Sequence, residues 1–156
     1  MCIRDRYSIG AVEYAKEIGA KTGSIACNKN AEISKYVDYP IEIETGAEVL
    51  SGSTRMKAGT ATKLVLNMIT TTAMIKIGKV YDNLMVDLKP TNEKLVDRAT
   101  KIIKEISCKD YESSKETLDK ANGNVKAAII MATKDISYQK AMEVLEKNKG
   151  FIREDL

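Results

Sequence analysis

Residues 46–63, GAEVLSGSTRMKAGTATK, constrain the fold more than any other stretch of the chain. YPIEIE at residues 39–44 stands before them and alternates as a β-strand. After them comes the longest run free of charge, residues 64–75. Upstream, Ile9, Val12, Ala15 and Ile18 predict a helix already under way at Ser8 and stopped at Gly19. A short strand follows at 21–26, then a short helix at 31–37 with Ile33 and Val37 inward, then the strand at 39–44 opened by Pro40. Helix, strand, helix, strand predicts an α/β fold with parallel strands. In such sheets ligands bind beyond the carboxyl ends of the strands, and the 46–63 stretch begins at that kind of position.

The pattern is helical from Met56 to about Tyr81. Leu64, Val65, Met68, Ile69, Thr72, Ile75 and Val80 cover more than one face, which predicts a helix buried on two sides. Residues 83–90 read as an extended or irregular connector. Thr91 is the predicted N-cap of the next helix, with Glu93 in its first turn. Its apolar stripe is Leu95, Val96, Ala99, Ile102, Ile103 and Ile106. Three shorter helices are predicted at 113–121, 124–134 and 137–149, the first opened by a capping box at Ser113–Glu116. They form a small three-helix bundle, and the tail FIREDL is expected to be loose at its end.

Composition removes several functions. The chain has no histidine, so histidine-based catalysis and histidine-ligated metals are excluded within it. Basic and acidic residues number 25 and 22 and are well mixed, which argues against a nucleic-acid footprint. Cys2, Cys27 and Cys108 follow no metal-ligand spacing, so reduced thiols in a cytoplasmic protein are expected. The charge-free run is too short to span a bilayer, and MCIRDR at the start carries no signal-peptide pattern. Asp87 and Glu93 read as a solvated loop acid and a helix-start acid, not a catalytic pair. The methionines read as packing.

The 46–63 stretch holds one acid, three cations, five hydroxyl residues and three glycines. Ser53 and Thr54 offer hydroxyls, Arg55 a planar donor fork and Lys57 a point charge. A helix starting near Ser53 or Thr54 would add free N–H groups and a favourable dipole for an anion. A phosphorylated sugar suits that set, with Glu48 accepting from sugar hydroxyls. The same residues also fit a plainer role, in which Ser53 or Thr54 caps the helix while Arg55 and Lys57 stay solvated. Spacing alone leaves both open.

The stretch resembles the signature of the N-acetylmuramic acid 6-phosphate etherases, which the regulatory protein of glucokinase shares. Gly46, Glu48, Gly52, Ser53, Thr54, Arg55, Lys57, Gly59, Thr60, Ala61 and Lys63 match it. The likeness extends to residues 7–28, to LVLNMITT at 64–71, to residues 78–95 and to NGNVKAAIIM at 122–131. It implies a sugar-phosphate domain of the SIS type, a flavodoxin-like α/β sandwich with parallel strands followed by a C-terminal helical bundle. On that frame residues 1–6 fall outside the family, 7–88 form the C-terminal portion of the SIS domain, and 89–156 form the helical region. Substrate contacts are expected at Glu48, Ser53, Thr54, Arg55 and Lys57.

The resemblance further implies a carbon–oxygen lyase that releases D-lactate from C3 of N-acetylmuramic acid 6-phosphate. The reaction eliminates the lactyl ether and then adds water, with no metal or organic cofactor. The partners implied are a small-molecule sugar phosphate and a second copy in a homodimer, with no nucleic acid and no membrane. The family's first phosphate loop, its second loop and its acid and base have no counterpart here. No catalytic residue is therefore assigned, and the chain is expected to be an inactive C-terminal half. The alternative carried by the same signature is a sugar-phosphate-binding regulator of the glucokinase-regulator type.

Overall fold

A computed structural model describes residues 6–152. The elements run α1 (Arg6–Glu17), β1 (Gly23–Ala26), a short 3-10 helix (Glu32–Lys35), β2 (Tyr39–Glu42), α2 (Lys57–Lys76), β3 (Val80–Tyr81), β4 (Leu84–Met85), α3 (Glu93–Ser107), α4 (Tyr111–Lys120), α5 (Val125–Lys134) and α6 (Tyr138–Lys147). The chain divides into two compact units, one up to Thr70 and one from Thr71. The sequence grouping instead places a boundary between residues 88 and 89. Of the six residues expected to stand outside the fold, 1–5 lie outside the described residues. Arg6 opens α1, so the helix is under way at Ser8 as the pattern predicts.

In the first unit β1 and β2 pair in parallel, with Gly23 opposite Tyr39 and Ala26 opposite Glu42. The predicted α/β character with parallel strands therefore holds for this pair. Ala26, Ala31, Ile33 and Val37 form the buried cluster, and Val12 of α1 packs against it. A polar clasp fixes where β2 begins. The Thr22 N–H and hydroxyl both donate to Asp38 Oδ2 at 2.9 Å, and the Asp38 N–H donates back to Thr22 Oγ1 at 3.2 Å. Glu42 accepts from the N–H groups of Asn30 and Ala31, both at 2.9 Å, tying the strand's end to the turn that follows β1.

α2 departs from expectation. Only Ala58 and Val65 are buried, while Leu64, Leu66, Met68, Ile69 and Ile75 are exposed. The apolar run makes the helix, but its large side chains find little cover among the described residues. The helix also ends at Lys76 instead of near Tyr81. Gly78 adopts φ 72°, a left-handed stop, and a Cβ there would meet the Gly150 carbonyl and the Phe151 ring at 3.1 Å. The chain beyond it, expected partly as helix and partly as connector, is a hairpin. β3 and β4 pair antiparallel across Asp82 and Asn83, with Asp82 at φ 50°.

The second unit is built on α3–α6. α3 packs against α4 and α5, so the bundle has four helices where three were expected. Ala99, Ile102 and Ile103 are buried as the stripe predicts, while Leu95, Val96 and Ile106 are half-buried. α5 sits at the centre, burying Val125, Ala127, Ala128, Ile129, Ile130 and Ala132. Caps are made by side chains immediately before each helix. Asn92, not Thr91, accepts from the Leu95 N–H and caps α3. Asp110 accepts from the Ser113 N–H, so α4 starts two residues before the predicted capping box. Asn124 and Ser137 cap α5 and α6. Buried Thr100 and Ser114 satisfy their hydroxyls on backbone carbonyls one turn back. Ile152, near the start of the tail, is buried in this core, and the tail's end at 153–156, expected to be loose, lies outside the described residues.

Two outcomes follow. Ile103→Ala, at a fully buried site, should lower the unfolding free energy by about 2–5 kcal/mol in denaturant titration. The Thr22 N–H, then its hydroxyl, hold Asp38 below the usual carboxylate range. A depressed pKa stabilises the fold above the unfolded value and is lost as pH falls through the folded one. Asp38→Asn should therefore be less stable than the parent chain at neutral pH, and thermal midpoints of the two should converge as pH drops below about 4.

Candidate functional site

The parallel pair brings the carboxyl ends of β1 and β2 to one edge. Beyond the ladder the two chains stay joined. The Ile43 N–H donates to the Ala26 carbonyl at 2.8 Å, and the Thr45 hydroxyl donates to the Cys27 carbonyl at 3.2 Å. Cys27 then reaches the start of α2, with Sγ 3.5 Å from the Ala58 carbonyl and 3.5 Å from Thr62 Oγ1. Between these elements lies a cleft of about 660 Å³. Its wall is carried by Cys27 and Asn28 after β1, Thr45 and Gly46 after β2, and Glu48, Thr54, Gly59 and Thr62 of the motif. That volume lies within the roughly 300–1,000 Å³ of small-molecule sites.

The five expected contact residues do not share one position. Glu48 and Thr54 line the cleft; Ser53, Arg55 and Lys57 do not. Arg55 and Lys57 are exposed at the turn into α2, and Ser53 is half-buried. Glu48 is half-buried and bonded to the helix: Oε1 accepts from the Ala58 N–H at 3.0 Å and Oε2 from the Lys57 N–H at 3.1 Å. The Ala58 N–H is the main cause that keeps this carboxyl below the usual glutamate range. The cap of α2 is thus a carboxylate nine positions before Lys57, not the hydroxyl of Ser53 or Thr54.

Sequence reasoning passed over Cys27, Asn28, Thr45 and Thr62 as wall residues. Their signal was positional: the first three directly follow the two parallel strands, and Thr62 lies one turn along the helix from Ala58. Cys27 and Cys108 are free thiols, and Cys2 lies outside the described residues. Among the described residues no three of His, Cys, Asp and Glu are grouped to hold a metal ion. No helix among them is long and apolar enough to cross a membrane.

Two glycines of the motif differ in what they can bear. Gly52 adopts φ 85° and has open space around it, so a side chain there meets only backbone strain. Gly59 has ordinary helical backbone, and a Cβ would sit 3.5 Å from the Thr54 carbonyl, a normal contact. Gly52→Ala should cost about 1–2 kcal/mol. Gly59→Ala should leave stability unchanged or raise it by up to about 1 kcal/mol. Paired thermal unfolding curves check both signs.

No protein-family model matches the chain. Individual curated proteins do. The chain is 56% identical over 153 residues to the N-acetylmuramic acid 6-phosphate etherase of Exiguobacterium sp., covering 98% of this chain and 52% of that protein. It is 58% identical over 150 residues to the protein of the same name from Shouchella clausii, covering 96% and 51%. A Bacillus cereus protein, again so named, is 56% identical over 153 residues, covering 98% and 52%. The chain thus spans about half the length of the curated relatives it matches. With more than half its residues shared along almost its whole length, the chain is similar, over the half of them that it spans, to the N-acetylmuramic acid 6-phosphate etherases.

Proposed function

We propose that the cleft of the first unit is one wall of a sugar-phosphate site in a longer polypeptide. That polypeptide cleaves the D-lactyl ether of N-acetylmuramic acid 6-phosphate. The observation that carries this reading is the position of the shared motif: Glu48, Thr54, Gly59 and Thr62 line a small-molecule-sized cleft at the carboxyl end of a parallel strand pair. The names and the 56–58% identity of the relatives support the substrate.

In this reading Thr54 contributes a hydroxyl to the cleft, Glu48 shapes its wall, and Ser53, Arg55 and Lys57 approach the ligand from the turn before α2. The C2 proton leaves, the bond from C3 to the ether oxygen breaks, and lactate departs with that oxygen. Water then adds at C3 to give N-acetylglucosamine 6-phosphate. The acid and base come from polypeptide beyond this chain, so the 156-residue chain alone does not turn over. The unit completes as a SIS-type sandwich in a cytoplasmic homodimer. The exposed apolar side chains of α2 are covered there, since a helix apolar on several faces is normally buried.

A regulator that binds the sugar phosphate without turnover would use the same motif, and a lactate assay separates the two. The extended polypeptide should release D-lactate from N-acetylmuramic acid 6-phosphate; binding without lactate would favour the regulator. Arg55→Ala should weaken substrate binding about ten- to hundredfold, as expected for one charge-assisted hydrogen bond. An unchanged KM would remove Arg55 from the site.

A further inference from the structure

The first turn of a helix presents unpaired N–H groups and the positive end of its dipole, and it attracts an anion. In α2 that position is already taken. The two oxygens of Glu48 accept separately from the consecutive N–H groups of Lys57 and Ala58, a bidentate arrangement a phosphate would also adopt. The loop between Glu48 and Lys57 has little else to hold it. Its apolar side chains do not anchor it, since Val49 is 76%, Leu50 72% and Met56 62% exposed. Its internal bond from the Ser53 N–H to the Leu50 carbonyl is long, at 3.4 Å. Gly52 turns it in a left-handed conformation. Yet this loop carries Thr54 into the cleft wall, where its carbonyl faces Gly59.

We propose that Glu48 is a positioning residue: its carboxylate occupies the anion position of α2, closes the 48–57 loop onto the helix and so places Thr54 in the cleft. The ligand's phosphate is consequently held away from the α2 terminus, and Glu48 makes no bond to the sugar. This deepens the sugar-phosphate reading of the same cleft and rests on it for the identity of the ligand.

The test follows the amide resonances of Lys57 and Ala58 in the 156-residue chain by NMR. Inorganic phosphate should leave them unmoved in the parent chain. In Glu48→Ala it should shift them saturably, because the vacated helix terminus then takes the anion. The same variant should lose about 2–4 °C of thermal midpoint, the shift of one lost cap, and formate should restore part of it. Saturable phosphate shifts of Lys57 and Ala58 in the parent chain would overturn the proposal, and this arm decides it even if the variant fails to fold. A folded variant with no anion dependence would overturn it too. N-acetylglucosamine 6-phosphate serves as the second probe, added to the extended polypeptide, because this chain supplies only one wall of the proposed site. Shifts at Thr54 and Thr62 without shifts at Lys57 and Ala58 support both readings. Silence throughout the cleft sinks the sugar-phosphate reading while the phosphate arm still judges Glu48.

Discussion

Parallel pairing of β1 with β2 is the constraint on which the cleft depends. Two parallel neighbours must be joined by a crossover, and both then end on the same edge. That alone makes neighbours of residues after β1, such as Cys27, and residues after β2, such as Thr45. The pairing is held at both ends by side chains that are acids. Asp38 clasps Thr22 before the strands, and Glu42 gathers the Asn30 and Ala31 N–H groups after β1. Glu48 repeats the device at the start of α2. Three carboxylates therefore fix three backbone junctions in a unit whose buried apolar cluster is small. Each accepts from two donors, and hydrogen bonds to a carboxylate are shorter and stronger than neutral ones.

The second unit reaches order by the opposite route. Its core is aliphatic, with α5 buried on several sides and α3, α4 and α6 packed around it. Buried hydroxyls bond within their own helices, so they carry little penalty. Longer-range polar ties lie at the margin, as where Lys126 donates to the Gly150 carbonyl at 2.8 Å and Tyr111 to Asp97 at 3.0 Å. Such a unit draws its stability from burial, which is spread over many residues and depends on no single junction.

Most of the element order was legible in the sequence because helices and strands impose local periods. The stripe through Ala99, Ile102 and Ile103 is read from spacing alone, and it is buried. Errors fell where two local signals competed. Thr91 and Asn92 are both good caps, and it is Asn92 that accepts from the Leu95 N–H. The β3–β4 hairpin was masked by apolar residues continuing the helical pattern past Gly78, whose left-handed backbone ends it. For the site, motif membership put Glu48, Ser53, Thr54, Arg55 and Lys57 on one footing, whereas only Glu48 and Thr54 of these line the cleft.

The sequence by itself determined the parallel α/β opening, the long helix after the motif, the aliphatic bundle and the likeness that the motif carries. Each is a matter of period, composition or residue order, written within a few neighbouring positions. Only the tertiary structure decided that a carboxylate caps α2 from nine residues away, that Cys27 and Thr45 stand beside Thr54, and that most of α2's apolar surface is exposed. Those outcomes depend on which distant groups the fold brings within bonding distance and on what packs against an apolar face. Local spacing carries neither.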